Sequence, residues 1–270
     1  MEEKKESIRQ IEQYFVQANG SEELQMLYRK YEDDERASVR NLVLKYQKKE
    51  LALAAELHRL ETMLTYERAN GFDDDRILVC GVDEAGRGPL AGPVVAGCAV
   101  LPRDCGSKFL YVNDSKQLSE KKREELYDVI MEHALYTGVG IVPAGVIDEI
   151  NILQATYEAM RQAIGKLGVI PNVSLNDAVI IPNLDESLGI PKGSVRQVKI
   201  IKGDANSLSI AAGSILAKVT RDRMMREYDK LYPEYGFAGH KGYGCASHIE
   251  AIRKYGPCPL HRETFIKNFL

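Results

Sequence analysis

The sequence predicts an α/β domain built on one central mixed sheet flanked by helices, behind an α-helical N-terminal extension. Three observations predict it. Residues 1–73 carry apolar side chains at helical spacing only. From Arg76 onward, β-branched apolar runs alternate with amphipathic stretches of helix length. Between the two, "FDDDR" at Phe72–Arg76 is a charged linker, which sets the domains at 1–73 and 74–270.

In the extension, Ile8, Ile11, Tyr14 and Phe15 recur on one helical face, and Asn19-Gly20 stops that helix. Ser21 is an expected N-cap for "EELQMLYRKYE". The "EDDER" cluster separates this from a longer helix beginning near Ser38, with Val39, Leu42, Val43, Tyr46, Leu53, Leu57, Leu60 and Leu64 on one stripe. Asn70-Gly71 is a C-cap signal. Mixed charges with an excess of acids favour a helical appendage packing on itself or on the main domain. A basic, nucleic-acid-binding arm would carry the opposite balance.

In the second region, "ILVCGVD" is a buried strand and "GPVVAGCAVL" a second. "LYVNDSKQLSEKKREELYDVIMEHA" moves from a short strand into a helix with Ser119 as N-cap. "YTGVGIVPAGVID" is a strand, and "DEINILQATYEAMRQAIGKLG" an amphipathic helix stopped by Gly168. "VSLNDAVII" and "QVKIIKGD" are strands, and "SLSIAAGSILAKVTRDRMMREYDKLYP" is a long helix.

Composition narrows the function classes. The 270 residues have a formal net charge of −3, so a nucleic-acid partner requires locally concentrated positive charge. The charged start lacks an apolar leader, and no window has the roughly 18 apolar residues that a membrane span needs. The five cysteines form no C-x-x-C pair and suit reduced thiols in the cytoplasm.

The chemistry concentrates in "VCGVDEAGRGPLAGPVVAGCAVL", Val79 to Leu101. Asp83 and Glu84 close an apolar strand, where carboxylates are costly unless a cation pairs with them. Neighbouring side chains on a strand point to opposite faces, so ideal strand geometry cannot aim both at one site. Asp177 and Asp204 lie in or after further apolar strands. Four acids at one sheet edge would repel and raise each other's pKa, a penalty that a divalent metal removes. Magnesium accepts such a set, and metal-assisted phosphoester hydrolysis is its standing use. No P-loop and no strand-borne G-x-G-x-x-G occurs, which argues against nucleotide-triphosphate chemistry. Gly86 and Gly88 around Arg87 suit either an anion-binding backbone loop with Arg87 clamping a phosphate, or a tight turn with Arg87 paired to the local acids.

The Val79–Leu101 stretch resembles the signature of the type 2 ribonucleases H, and the chain from Ile77 to its end is similar to bacterial ribonuclease HII. "NDSKQLSEKKREELY", "IDEINILQATYEAM", "KGDANSLSIAAGSILAKVTRDRMM", "GHKGYG" and "YGPCPLHRETF" stand in the family's order. A helical extension like residues 1–73 also resembles that of some members. The resemblance implies an RNase H-like fold, cleavage of the RNA strand of RNA–DNA hybrids, and incision of duplex DNA 5′ to an embedded ribonucleotide, leaving 3′-hydroxyl and 5′-phosphate ends. It implies Mn²⁺ or Mg²⁺ as cofactor, held by Asp83, Glu84, Asp177 and Asp204. It implies that Gly86, Arg87 and Gly88 sense the 2′-hydroxyl, the group that distinguishes RNA from DNA, and that Tyr243 packs at the RNA–DNA junction. Ser115 and Lys116 are expected phosphate contacts, with Lys202, Lys218 and Arg221 as further candidates. The third acid has two claimants: Asp177 fits the upstream register, and Asp185 competes because "NLDESLGIPKGSVRQ" is longer than the usual connection. Cys245 stands where the family usually has threonine. His58, His133, His240 and His261 receive no catalytic role. Other expectations are a monomer, no membrane association and unknown protein partners. The competing functions are another metal-dependent nuclease of the same fold and a catalytically silent nucleic-acid-binding protein.

Overall fold

The computed structural model describes residues 6–270, which divide into two compact units at Arg59/Leu60. In the first, α1 (Ile8–Gln17), α2 (Ser21–Tyr31) and most of α3 (Ala37–Met63) enclose Ile11, Phe15, Tyr28, Tyr31, Val39, Leu42 and Val43. Phe15 stacks on Tyr46 and Tyr28, with ring centroids 4.7 and 5.7 Å apart. Ser7 and Gln10 form a reciprocal capping box at α1. Ser21 is not the N-cap of α2. It is the first helical residue, after Gly20 at φ 92°, and its hydroxyl donates to Glu50 at 2.7 Å. The expected single helix to Asn70 is broken at Leu64. A short α4 (Thr65–Ala69) follows and ends before Gly71 at φ 95°.

The second unit holds a five-stranded mixed sheet of order β3-β2-β1-β4-β5. The strands are β1 (Val79–Ala85), β2 (Val94–Val100), β3 (Tyr136–Val142), β4 (Val173–Asp177) and β5 (Arg196–Ile200). β1 pairs antiparallel with β2 and parallel with β4. The helices are α5 (Glu120–His133), α6 (Ala144–Ile150), α7 (Ile152–Gly165), α8 (Leu184–Ser187), α9 (Gly203–Asn206), α10 (Leu208–Leu231), α11 (Phe237–His240), α12 (Ala246–Tyr255) and α13 (Glu263–Ile266). α5 and α10 cover one face of the sheet and α7 the other, which is why β1 and β2 read as continuous apolar runs. Leu60, Met63, Leu64 and Phe72 belong to the core on the α10 face.

α10 approaches the strands at backbone distance. A Cβ built on Gly81 would stand 2.1 Å from the Ser209 carbonyl carbon, and one on Gly97 would stand 2.2 Å from Gly213 O. Any side chain at either position would push the helix off the sheet. The N-terminus of α10 is tied down by Glu67, whose Oε1 accepts from the Ser207 hydroxyl (2.6 Å), the Ser209 N–H (2.9 Å) and the Ser209 hydroxyl (2.7 Å). Glu67 is fully buried, burial pushes its pKa up, and among the described residues its Oε2 has no hydrogen-bond partner.

Several expected elements differ, among them the strand over Tyr136–Asp148, which ends at Val142 and gives way to α6. Leu110–Val112 is a turn rather than a strand, because Tyr111 sits at φ 71°. The predicted helix over Asp148–Gly168 is two helices. Asn151 at φ 65° separates them, and its side chain accepts from the Leu153 and Gln154 N–H groups to cap α7. β4 ends at Asp177 because Ala178 turns to φ 53°. Ser119 caps α5 as expected. Among the described residues no helix is long and apolar enough to cross a membrane.

Candidate active site

The site forms where β1 outruns its neighbour. Pairing with β4 stops at Val82↔Asn176, while pairing with β2 continues to Ala85↔Val95. Asp83 and Glu84 therefore stay paired to β2 with their other flank open. Both line a single cavity of about 220 Å³, although the strand has not ended between them. Around them stand Gly86, Arg87 and Gly88 from the following loop, Ser115 and Lys116 from a 3₁₀ turn, Asp177 from the end of β4, and Tyr243. Asp204 adjoins this group through Lys116, whose Nζ lies 2.9 Å from Asp204 Oδ2. The other claimant, Asp185, is committed elsewhere. It accepts from the Gly193 and Val195 N–H groups and holds its own loop.

The electrostatics of the cavity are those of a crowded anion site. Burial, together with the negative charges of Glu84 and Asp177, pushes Asp83 well above the usual carboxylate range. Glu84 is raised by burial against the pull of Arg87, whose Nη1 stands 3.2 Å from Glu84 Oε1. Asp177 is raised by burial despite accepting from the Gly203 N–H at 2.6 Å. That bond ties β4 to the helical turn carrying Asp204. Lys116 is raised by its bond to Asp204. Ser115 is buried and shares a hydrogen bond of 2.9 Å with Ser214.

The donor set is all oxygen, as magnesium and manganese prefer, and its repulsion is only partly offset. A divalent cation fits it. Among the described residues no three acidic, histidine or cysteine side chains are gathered into a finished cage. Lys116 and Arg87 each engage one oxygen of a site carboxylate, Asp204 Oδ2 and Glu84 Oε1.

Tyr243 is 49% exposed, so its ring is a surface at the cavity rather than part of the core. Lys218 and Arg221 do not present free charges to a phosphate. Lys218 Nζ is held by Asp222 at 2.7 Å. Arg221 is buried, and donates to the carbonyls of Pro93, Lys241 and Ala91 at 2.9, 2.9 and 3.1 Å. Cys245 precedes α12 and contacts the Ser247 hydroxyl at 3.1 Å.

Sequence reasoning missed the support behind this loop. Arg262 is fully buried, and its guanidinium meets the carbonyls of Gly86, Arg87 and Gly92. Next to it His248 and His261 form a directed chain. The Cys258 N–H donates to His261 Nδ1 (2.9 Å), so His261 carries its proton on Nε2 and donates to His248 Nε2 (3.1 Å). His248 Nδ1–H in turn donates to the Tyr243 carbonyl (2.9 Å). Burial pushes His248 down to about 4 and lowers His261. With both rings neutral every link of this chain is satisfied. Its sole sequence signal is the proximity of His248 and His261 to the "GYG" and "LHRETF" motifs.

The model of the ribonuclease HII family matches residues 80–268, and that of the ribonuclease HII N-terminal domain matches residues 7–70. The chain belongs to the ribonuclease HII family. It is 56% identical over 239 residues to ribonuclease HII of Lachnoclostridium phytofermentans, covering 88% of this chain and 89% of that one. It is 51% identical over 234 residues to that of Bacillus subtilis, covering 87% of each. The crystal structure of ribonuclease H2 from Pyrococcus horikoshii OT3 superimposes with a TM-score of 0.59 at 30% identity, covering 72% of this chain and 97% of that one. The RNase H-like fold expected from the sequence is thereby borne out, and the protein is a hydrolytic ribonuclease H endonuclease.

Proposed function

We propose that this endonuclease cuts the RNA strand of RNA–DNA hybrids and incises duplex DNA on the 5′ side of an embedded ribonucleotide. The observation that carries the reading is the convergence of Asp83, Glu84 and Asp177 with the Gly86–Gly88 loop and Tyr243 on one cavity. Asp83, Glu84, Asp177 and Asp204 would hold Mn²⁺ or Mg²⁺. A divalent ion bound there supplies an activated water and charge stabilisation for the leaving 3′ oxygen. Asp177 takes the third position because its second oxygen remains available while Oδ1 is fixed by Gly203.

The chain's own residues do the rest. Gly86 and Gly88 let backbone N–H groups approach the ribose, and the 2′-hydroxyl there can both donate and accept. Arg87 and Lys116, each now paired with a site carboxylate, exchange that partner for a phosphate oxygen when substrate arrives. Ser115 steadies the Lys116 turn through Ser214. Tyr243 offers its exposed ring to the sugar at the RNA–DNA junction. Residues 74–270 form the catalytic domain in this reading, and 1–73 an accessory helical extension. The enzyme works as a cytoplasmic monomer.

The test is a substrate panel in Mg²⁺ and in Mn²⁺: a DNA duplex with one ribonucleotide, a full hybrid, and an all-DNA duplex. The expected result is cutting of the first two alone, with 3′-hydroxyl and 5′-phosphate ends. Cutting of the all-DNA duplex would make the protein a general nuclease. Tight binding with no cutting in either metal would make it a silent binder.

A further inference from the structure

Two guanidinium groups lie buried behind the Gly86–Gly88 loop, and among the described residues neither has a carboxylate within ion-pair distance. Arg262 donates to Gly86 O (2.5 Å), to Arg87 O (2.8 Å) and twice to Gly92 O (2.9 and 3.0 Å). Arg221 holds the carbonyls of Ala91, Pro93 and Lys241. Burying a cation without a counter-ion is costly. Two of them under one loop call for a reason beyond stability.

The peptide geometry supplies one. In a trans peptide the C=O and N–H point in opposite directions. Arg262 draws the Gly86 and Arg87 carbonyls inward. The N–H groups of the same two peptides, those of Arg87 and Gly88, must then point outward. Neither N–H has an acceptor among the described residues. The space beside Gly88 is open, and a Cβ there would meet only the Tyr243 ring edge at 3.8 Å. A guanidinium on the carbonyl also polarises the amide, which makes its N–H a better donor. The uncompensated charge behind the loop raises the local potential for an anion. Gly86 completes the arrangement, since a Cβ at that position would overlap Arg221 Nε at 2.1 Å.

We propose that Arg262, seconded by Arg221, is a positioning residue for ribonucleotide recognition: it aims the Arg87 and Gly88 N–H groups at the 2′-hydroxyl and adjoining phosphate. The proposal rests on the ribonucleotide-directed reading above. A lysine in its place keeps the charge but cannot fork onto two carbonyls at once.

The experiment uses the full chain in an Asp83→Asn background, which removes cutting. Fluorescence anisotropy in Mg²⁺ measures affinity for a duplex with one ribonucleotide and for the all-DNA duplex of the same sequence. The ratio of the two is the readout, because a merely structural loss lowers both affinities together. Arg262→Lys and Arg262→Gln are each expected to reduce the ratio about tenfold, the scale of one charge-assisted hydrogen bond. Thermal melting confirms the folded state. Where Arg262→Lys does not fold, Arg221→Lys is read in the same way. Folded variants that keep the parent ratio overturn the proposal, and so does failure of both lysine variants to fold, since the arginines are then structural only. A parent protein with no preference for the ribonucleotide overturns the underlying reading instead.

Discussion

Replacing Gly86 by alanine places a methyl group where Arg221 already is. Gly86 sits at φ +93°, which costs an L-residue about 1–2 kcal/mol. The new Cβ would stand 2.1 Å from Arg221 Nε, 2.5 Å from its Cδ and 2.7 Å from Pro93 O. Arg221 is 1% exposed, so its side chain cannot swing into solvent. Relieving the overlap breaks at least the bond from Arg221 Nε to Pro93 O, and a hydrogen bond to a charged group contributes about 1.5–3 kcal/mol. The two together give a loss of about 3–5 kcal/mol, a large share of the roughly 5–15 kcal/mol typical of a whole domain. Urea unfolding followed by circular dichroism measures it. Gly88→Ala is the control: its nearest neighbour is the Tyr243 ring edge at 3.8 Å, and its loss should stay below about 1 kcal/mol. If Gly86→Ala unfolds within about 1 kcal/mol of wild type, the packing of Arg221 against this loop is wrong as described.

Three further perturbations follow from the same structure. Asp83→Asn removes one of three mutually repelling carboxylates, so it should melt above wild type in EDTA and lose that advantage in excess Mn²⁺, which stabilises only an intact site; a variant that melts lower in EDTA contradicts the crowding. His248 is neutral when folded, with its pKa moved from 6.5 to about 4, so the unfolded chain binds the extra proton and stability falls as pH drops from about 6.5 towards 4. Discounted for solvent screening, the contribution is about 2 kcal/mol. It appears as a pH-dependent gap between wild type and His248→Gln, which isolates it from Asp83 and Glu67, whose raised pKa values act in the opposite sense; parallel curves would exclude it. Glu67→Ala strips three hydrogen bonds from the start of α10 and should cost about 2–3 kcal/mol, whereas Glu67→Gln keeps the accepting oxygen and should cost much less; equal losses would mean that the cap is not the cause.

What the sequence made legible were features with a local cause. The buried strands appear as apolar runs because both faces of β1 and β2 are covered. The Ser119 cap and the Gly71 stop are written within a few residues of the helix ends they control. The site acids show themselves because a carboxylate beside "VCGV" has no local justification. Features with a distant cause did not show. Tyr111 turns to φ 71° inside a stretch whose apolar pattern reads as a strand. Arg262 reads as one basic residue within the "YGPCPLHRETF" block, yet its partners Gly86, Arg87 and Gly92 lie more than 165 positions earlier. His248 and His261 belong to two different motifs, and only the fold turns them into one hydrogen-bonded chain. Arg221 shows the converse: its basic character suggested a phosphate contact, and its burial assigns it to carbonyls.

The most direct test of the account maps the products cut from a DNA duplex carrying one ribonucleotide, in Mn²⁺ and in Mg²⁺, by wild type, Asp83→Asn, Asp177→Asn and Asp185→Asn. Wild type and Asp185→Asn should each give a single metal-dependent cut 5′ to the ribonucleotide, with turnover by Asp83→Asn and Asp177→Asn lowered at least about a hundredfold. Full activity in Asp177→Asn, or loss in Asp185→Asn while its melting temperature is unchanged, would contradict the site as built.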